Sequence, residues 1–168
     1  MPITVVTGTP RSGTSLAMRA LEAAGVPAFH NNRIEPNDAN PHGFYEHTDV
    51  YEWKDGWWEE ADGMAVKVPL FRIAHLPDTV VKAVVVMQRP EEQVRASLRS
   101  AFGELEVPAA IFQHSEYAMR QLSIAHAGRH ITANFATVVA KGFGEVADFL
   151  GLDAAAMDSV IDPSLMRF

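Results

Sequence analysis

The amino-acid sequence predicts a three-layer α/β domain built around a mainly parallel central sheet. Residues 3–7 and 82–88 are apolar, β-branched runs without polar alternation, which is typical of strands buried on both faces of a sheet. Each run is followed directly by a segment whose apolar residues have helical spacing. Such alternation of strands and helices indicates parallel strands joined by crossover helices, with ligands bound at the carboxyl ends of the strands.

The other elements are predicted from apolar periodicity and from glycine and proline at element ends. Gly25 and Gly151 each follow a helical stretch, and Pro90 precedes one. Helices are expected over residues 14–24, 44–61, 90–101, 108–125 and 143–150, and further short strands over residues 64–68 and 130–133.

Length and composition indicate one domain with its own core. The chain has 168 residues, of which 48% are apolar, and this is too few for two comfortable domains. We therefore expect residues 1–168 to form a single domain. The net charge of -7 argues against a general nucleic-acid binder, which needs a basic face.

Cysteine content and hydropathy bear on location. The chain contains no cysteine, which excludes disulfides and thiolate metal sites, and nothing suggests an oxidising compartment. The first residues lack the pattern of a signal peptide, and no stretch approaches the ~20 apolar residues that span a bilayer. A cytoplasmic location without a membrane span is the expectation.

The segment from Gly8 to Ser15 has the glycine spacing of a Walker P-loop and lies directly between the first strand and the first helix. Backbone N–H groups of such a loop, with the helix N-terminus, can hold a phosphate. Thr14 occupies the position of the lysine that reaches the terminal phosphates of a nucleoside triphosphate. Arg11 places a guanidinium in the loop instead. An anion site is favoured over a simple Gly-Pro turn, and the fold is expected to be P-loop NTPase-like.

Four segments in this order resemble the superfamily of sulfotransferases that use 3'-phosphoadenosine 5'-phosphosulfate (PAPS). They are a PRSGTS loop over residues 10–15, NPHGFYEH over residues 40–47, RPEEQVRAS over residues 89–97, and FLGLD with IDPSLMR near the end of the chain. The resemblance implies transfer of a sulfuryl group from PAPS to an acceptor hydroxyl or amine, with release of adenosine 3',5'-bisphosphate. It implies a small-molecule or glycan acceptor and no required metal.

The resemblance also implies which residues form the site. The residues expected to bind the donor are Pro10, Arg11, Ser12, Gly13, Thr14, Ser15, Arg89 and Ser97. The residues expected to take part in catalysis are Glu46, Lys67 and Arg11. Lys67 would stabilise the leaving phosphate, and Glu46 would accept the proton of the acceptor.

Several of these residues can also be interpreted without a ligand. Arg89 follows a buried strand, and Ser97 lies two helical turns beyond Pro90 on the same face, so the two can bracket a 3'-phosphate. Arg89 could equally form a strand-end ion pair, and Ser97 could bond to its own helix. Lys67 could be a snorkelling surface lysine. Glu46 could be a carboxylate in the first turn of a helix.

Other polar and aromatic residues leave alternatives open. His42 and His47 are alternative bases, since imidazole titrates near neutral pH. The histidines lack the grouping of metal ligands, so no metal site is expected. The loop over residues 30–43 is long enough to be functional. Trp53, Trp57 and Trp58 could line an apolar acceptor pocket, although aromatics with this spacing are more typical of a core.

Two other functions compete with sulfuryl transfer. A small-molecule kinase would need a magnesium carboxylate, for which Asp49 or Asp78 could be nominated, although neither follows a buried strand. The other alternative is a non-catalytic module that binds adenosine bisphosphate. The acceptor and the oligomeric state cannot be derived from the sequence.

Overall fold

A computed structural model describes residues 2–31, 33–38, 40–103 and 109–162. Its central sheet has four strands, all parallel, in the order β2-β1-β3-β4. The strands are β1 (Ile3–Gly8), β2 (Ala65–Lys67), β3 (Val81–Gln88) and β4 (His130–Asn134). Because β1 lies between β2 and β3, the ends of both neighbours flank the predicted phosphate loop, residues 8–15.

The structure describes eight helices, most of which pack on the two faces of this sheet. They are α1 (Thr14–Ala23), α2 (Thr48–Glu52), α3 (Trp57–Glu60), α4 (Glu91–Phe102), α5 (Ala109–Ala125), α6 (Phe135–Lys141), α7 (Gly144–Leu150) and α8 (Ala154–Asp158). A 3-10 helix, Leu70–His75, follows β2.

Successive residues of the buried strands pack alternately into two separate hydrophobic cores, one on each face of the sheet. In β1, Val5 packs into a core with residues of α3, α5 and the 3-10 helix, whereas Val6 packs into a core with residues of α1, α6 and α7. Val84 and Val85 of β3 divide between the two cores in the same way. Side chains of successive strand residues point to opposite faces, so a strand covered on both faces must be apolar throughout. The predicted three-layer α/β fold with a parallel sheet is confirmed.

The single helix predicted over residues 44–61 is wrong. Residues 43–47 have no regular structure, and α2 and α3 are two short helices separated at residues 53–56. Trp53 and Gly56 both adopt left-handed backbone conformations, with φ of 57° and 78°. A left-handed residue ends a helix, and this turn allows Trp57 to be almost completely buried in the core. The aromatic spacing reflected packing rather than one continuous helix.

Two short helices carried start signals that the sequence analysis did not use. Asn134 caps α6 by accepting hydrogen bonds from the N–H groups of Ala136 and Thr137. Asp153 caps α8 in the same manner. Asn and Asp are among the strongest N-cap residues, so both helix starts could have been predicted.

Some expectations lie beyond what the structure tests. The assignment of residues 1–168 to one domain stays a prediction, as does the cytoplasmic location. Pro108 and residues 163–167 of the C-terminal resemblance lie outside the described residues. In the described part of the chain, no helix is long and apolar enough to cross a membrane.

Packing of α5 on the sheet generates a stability prediction. Leu122 is fully buried in the core, whereas Ile124 on the same helix is 75% exposed. Leu122→Ala removes buried methyl groups and leaves a cavity, so we expect it to lower the free energy of unfolding by about 2–5 kcal/mol. Urea denaturation measures this change. Ile124→Ala is the matched control and should change the free energy of unfolding by less than about 0.5 kcal/mol. Equal losses in both variants would contradict the placement of α5.

Candidate active site

The phosphate loop between β1 and α1 depends on left-handed backbone conformations. Arg11 has a φ of 66°, and Gly13, the N-cap of α1, has a φ of 99°. A Cβ atom at Gly13 would lie 2.5 Å from a ring carbon of Phe135, which follows β4. Glycine is therefore needed here for backbone conformation and for space. The turn brings the N-terminus of α1 to the carboxyl ends of the strands.

A cavity of about 700 Å³ opens at these carboxyl ends. All but one of the residues that the sequence predicted for donor binding and catalysis line this cavity. The predicted residues that line it are Pro10, Arg11, Gly13, Thr14, Ser15, Glu46, Lys67, Arg89 and Ser97. They come from the phosphate loop, the ends of β2 and β3, helix α4 and the loop over residues 30–47, which are far apart in the chain.

Ser12 is the exception, since it does not line the cavity. Its side chain is fully buried, and its Oγ has no hydrogen-bond partner among the described residues. The backbone N–H of Ser12 donates to the carbonyl of Thr9 at 3.2 Å. A side chain at Gly8 would collide with the Ser12 Oγ. In this arrangement Ser12 shapes the loop from within, and its predicted contact with a donor stays a prediction.

Arg11, Arg89 and Ser97 form one hydrogen-bonded cluster at the β3 side of the loop. Arg11 Nε donates to Ser97 Oγ at 3.1 Å, and Arg89 Nη1 donates to the Arg11 carbonyl at 3.2 Å. The Arg89 guanidinium also lies over the ring of Phe135, 4.4 Å from its centroid. Burial lowers the pKa of Arg89, and the positive charge of Arg11 lowers it further. An anion bound beside both guanidiniums would relieve their mutual repulsion.

Glu46 and Lys67 form a buried ion pair at the β2 side of the loop. Lys67 Nζ lies 3.2 Å from Glu46 Oε1, and the two side chains are only 13% and 9% exposed. Burial lowers the pKa of Lys67, the Glu46 carboxylate raises it, and the nearby Arg11 lowers it. The net effect is a decrease, so Lys67 gives up its proton more readily than an exposed lysine.

The Glu46 carboxylate accepts further hydrogen bonds from residues that the sequence analysis did not identify. The Tyr51 hydroxyl donates to Oε1 at 2.8 Å, and Arg33 Nη1 donates to Oε2 at 3.4 Å. Burial raises the pKa of Tyr51, and the Glu46 charge raises it further, so Tyr51 stays a neutral donor. Its position five residues after Glu46 offered no signal, because residues 43–47 are not helical. Satisfied charges of this kind tolerate burial.

The backbone of the loop over residues 30–47 is tied to the phosphate loop and to the sheet. The Phe44 carbonyl accepts hydrogen bonds from Ser15 Oγ at 3.2 Å and from Lys67 Nζ at 3.0 Å. Ser15 is thereby shared between the predicted donor site and this loop. These contacts position Glu46 in the cavity although it lies in a segment without regular structure.

The two histidines considered as alternative bases occupy different environments. His42 lines the cavity, but His47 does not. The Nδ1 of His47 accepts from the backbone N–H of Asp49 at 3.2 Å and so caps α2, and its ring stacks on Phe29 at 4.1 Å between centroids. His47 therefore has a structural role at the start of α2. His114 of α5 also lines the cavity, and the sequence analysis did not identify it.

The tryptophans belong to the core rather than to the cavity. Trp57 is buried, and Trp53 and Trp58 pack against the same core with edge-to-face ring contacts. None of the three lines the cavity. Among residues 2–31, 33–38, 40–103 and 109–162, no group of three or more His, Asp or Glu side chains is arranged to hold a metal ion.

Comparison with known proteins supports the fold and leaves the activity open. No protein-family profile matches the chain, and no curated protein sequence matches it. The chain is similar in structure to a sugar kinase from a Janibacter species, solved without a ligand, with a TM-score of 0.50 and 14% sequence identity. The match covers 93% of this chain and 98% of that chain. At this identity the similarity concerns the α/β fold, with its four parallel strands and flanking helices.

The contact between Gly13 and Phe135 can be tested with a matched glycine. Gly25 also has a positive φ, of 86°, but a Cβ atom there would meet no atom within 4 Å. Gly25→Ala should therefore cost only the backbone strain, about 1–2 kcal/mol of unfolding free energy. Gly13→Ala should cost about 1–3 kcal/mol more, because the methyl group collides with the Phe135 ring. Chemical denaturation of both variants measures the difference, and equal losses would contradict the close approach of Phe135.

Proposed function

We propose that this protein transfers the sulfuryl group of PAPS to an acceptor hydroxyl. The observation that carries the proposal is the distribution of charge around the phosphate loop. Each strand that flanks β1 brings a cation to the cavity, Lys67 as the last residue of β2 and Arg89 directly after β3. The loop itself has Thr14 where a triphosphate site needs lysine.

The two cationic groups lie on opposite sides of the loop and suit a donor with two separated anionic groups. Arg11, Arg89 and Ser97 offer two guanidiniums and a hydroxyl on the β3 side, which fits a 3'-phosphate. The loop backbone and the N-terminus of α1 fit the 5'-phosphate. Lys67 lies beyond the loop, on the β2 side, where the sulfuryl group and its bridging oxygen would be placed.

The reaction requires little covalent chemistry from the protein. The acceptor oxygen attacks the sulfur atom in line, and the bond from sulfur to the bridging oxygen of the 5'-phosphate breaks. The phosphate oxygen leaves with the electron pair, and Lys67 stabilises its charge. The proton of the acceptor hydroxyl passes to Glu46. The products are a sulfate ester and adenosine 3',5'-bisphosphate.

The ion pair between Lys67 and Glu46 couples the two roles. In the structure Lys67 Nζ is shared between Glu46 Oε1 and the Phe44 carbonyl. A donor whose bridging oxygen engages Lys67 weakens this pair and leaves Oε1 with the Tyr51 hydroxyl. The carboxylate then has capacity to accept a proton from the acceptor. The pair with Lys67 thereby keeps the proposed base, Glu46, buried and charged until the donor binds.

Phosphoryl transfer from ATP is the second candidate, and the similarity to a solved sugar kinase favours it. Such a reaction needs magnesium held by a carboxylate near the phosphate loop. Asp49 of α2 pairs with Lys54, and Asp78 pairs with Arg129 at the amino end of the sheet, so neither nominated residue lies at the loop. Of the described residues, Glu46 and Asp162 are the carboxylates that line the cavity. Glu46 is paired with cations, and Asp162 follows α8 rather than a strand beside the loop.

Ligand stabilisation distinguishes the two candidates. Adenosine 3',5'-bisphosphate at roughly a hundred times its dissociation constant should add about 2.7 kcal/mol to the free energy of unfolding. This corresponds to a rise in Tm of roughly 5–10 °C for a chain of this size. AMP, which lacks the 3'-phosphate, should stabilise the protein much less, and added magnesium should change nothing. A larger shift with magnesium-ATP than with the bisphosphate would assign the site to a kinase.

Substitution of Glu46 tests the proposed proton acceptor. Glu46→Gln keeps the shape of the side chain but cannot accept a proton, so turnover with PAPS should fall by about 10²–10⁴-fold. Bisphosphate binding, titrated separately, should barely change. Near-normal turnover in this variant would remove Glu46 from the mechanism.

Two further variants control for this result. Glu59→Gln makes the same chemical change at an exposed position of α3 outside the cavity and should retain full turnover. His42→Asn removes the other candidate base that lines the cavity. An inactive His42→Asn beside an active Glu46→Gln would transfer the role to the histidine. Loss of both binding and turnover in Glu46→Gln would indicate a damaged site.

A further inference from the structure

The half of the cavity that receives the acceptor is defined by the positions of Lys67 and Glu46. Neighbouring strands lie about 4.8 Å apart, and β2 and β3 flank β1, so Lys67 and Arg89 lie on opposite sides of the loop. With the 3'-phosphate at Arg89, the transferred group points to the β2 side. The walls there come from the 3-10 helix Leu70–His75 and from the loop over residues 30–47.

These walls present apolar side chains in positions that solvent can reach. Phe71 of the 3-10 helix is 63% exposed, and Ile34 of the loop is 37% exposed. Both line the cavity, together with the side chains of Pro41, Phe44, Pro69 and Leu70. The other exposed large apolar residues of the described chain are Tyr117, Ile124 and Phe149, and none of them lines this cavity. Exposed apolar surface concentrated in a cleft marks a binding site for apolar groups.

The charged groups of the same half are engaged with one another. Glu46 accepts from Lys67, Tyr51 and Arg33, and the Arg33 guanidinium also lies 4.8 Å from the centroid of the Tyr51 ring. Asn40 and His42 are the other polar side chains that the loop and the 3-10 helix bring to the cavity. A sugar would need partners for several hydroxyl groups as they lose water, because each unpaired group is costly. An acceptor with one hydroxyl on an apolar skeleton has only that group to satisfy.

On the basis of the proposed function, we infer that the acceptor is an apolar alcohol or phenol rather than a glycan. Its hydroxyl lies at Glu46 and Lys67, and its apolar body packs against Phe71, Ile34 and Leu70. The acceptor oxygen forms the new bond to sulfur, the bridging oxygen leaves with the phosphate, and the proton goes to Glu46. The polar network around Glu46 recognises the single hydroxyl of the acceptor, and the exposed side chains of Phe71 and Ile34 bind its apolar body.

The test measures transfer from labelled PAPS to 2-naphthol and to methyl glucoside. We expect label in the naphthyl sulfate and little in the sugar. Phe71→Ser should lower kcat/KM for 2-naphthol by at least about 10-fold, since a hydrophobic contact in the pocket is lost. Bisphosphate binding should stay the same in this variant. Ile124→Ser is the matched control, because Ile124 is exposed but lies outside the cavity, and its activity should equal that of the unmodified protein.

The possible results separate this inference from the proposed function. Preferred sulfation of the glucoside, or equal activity in Phe71→Ser and Ile124→Ser, would overturn the apolar acceptor and leave sulfuryl transfer intact. Bisphosphate binding without transfer to 2-naphthol would also overturn the inference. A protein that neither binds the bisphosphate nor transfers label would overturn the proposed function and the inference together.

Discussion

The buried ion pair between Lys67 and Glu46 is the interaction on which the cavity depends. Glu46 belongs to a loop rich in Asn and Pro, and residues 43–47 of this loop have no regular secondary structure. Lys67 supplies two hydrogen bonds, one to the Glu46 carboxylate and one to the Phe44 carbonyl, and so attaches this loop to the end of β2. Removing two charges from water is costly unless further donors satisfy them. Tyr51 and Arg33 supply these donors. The same contacts therefore hold the loop in the cavity wall and satisfy the charge of Glu46.

The parallel sheet explains why cations gather at the phosphate loop. All four strands end at the same edge, so residues that follow β1, β2 and β3 meet there although the chain separates them widely. Arg11 and Arg89 lie close enough for the charge of one to lower the pKa of the other. The fold thus holds charges that repel each other beside a helix N-terminus. Such an arrangement suits the anionic donor of the proposed function, because a bound anion would reduce a repulsion that the fold already maintains.

The sequence predicted an element correctly where the pattern of neighbouring residues is compatible with one structure, and incorrectly where it is compatible with several. β1 and β3 were predicted almost to the residue because a strand covered on both faces must be apolar throughout. The region over residues 44–61 was predicted incorrectly because its aromatic periodicity is compatible with a helix, yet the left-handed conformations of Trp53 and Gly56 divide it. The caps Asn134 and Asp153 could be recognised in the sequence, but the helices that follow them are short. Short helices depend on tertiary packing for their stability.

The sequence by itself determined the α/β fold class, the phosphate loop with threonine in place of lysine, and the candidate residues Arg11, Glu46, Lys67, Arg89 and Ser97. The fold class and the loop follow from periodicity and motif, which are properties of neighbouring residues, whereas the resemblance to sulfotransferases supplied the candidate roles of Glu46 and Lys67. Only the tertiary structure decided that Ser12 turns away from the cavity, that His47 caps a helix, and that Tyr51 and Arg33 complete the Glu46 site. These contacts are set by where the loop backbone lies against the sheet, and spacing along the chain does not specify that position.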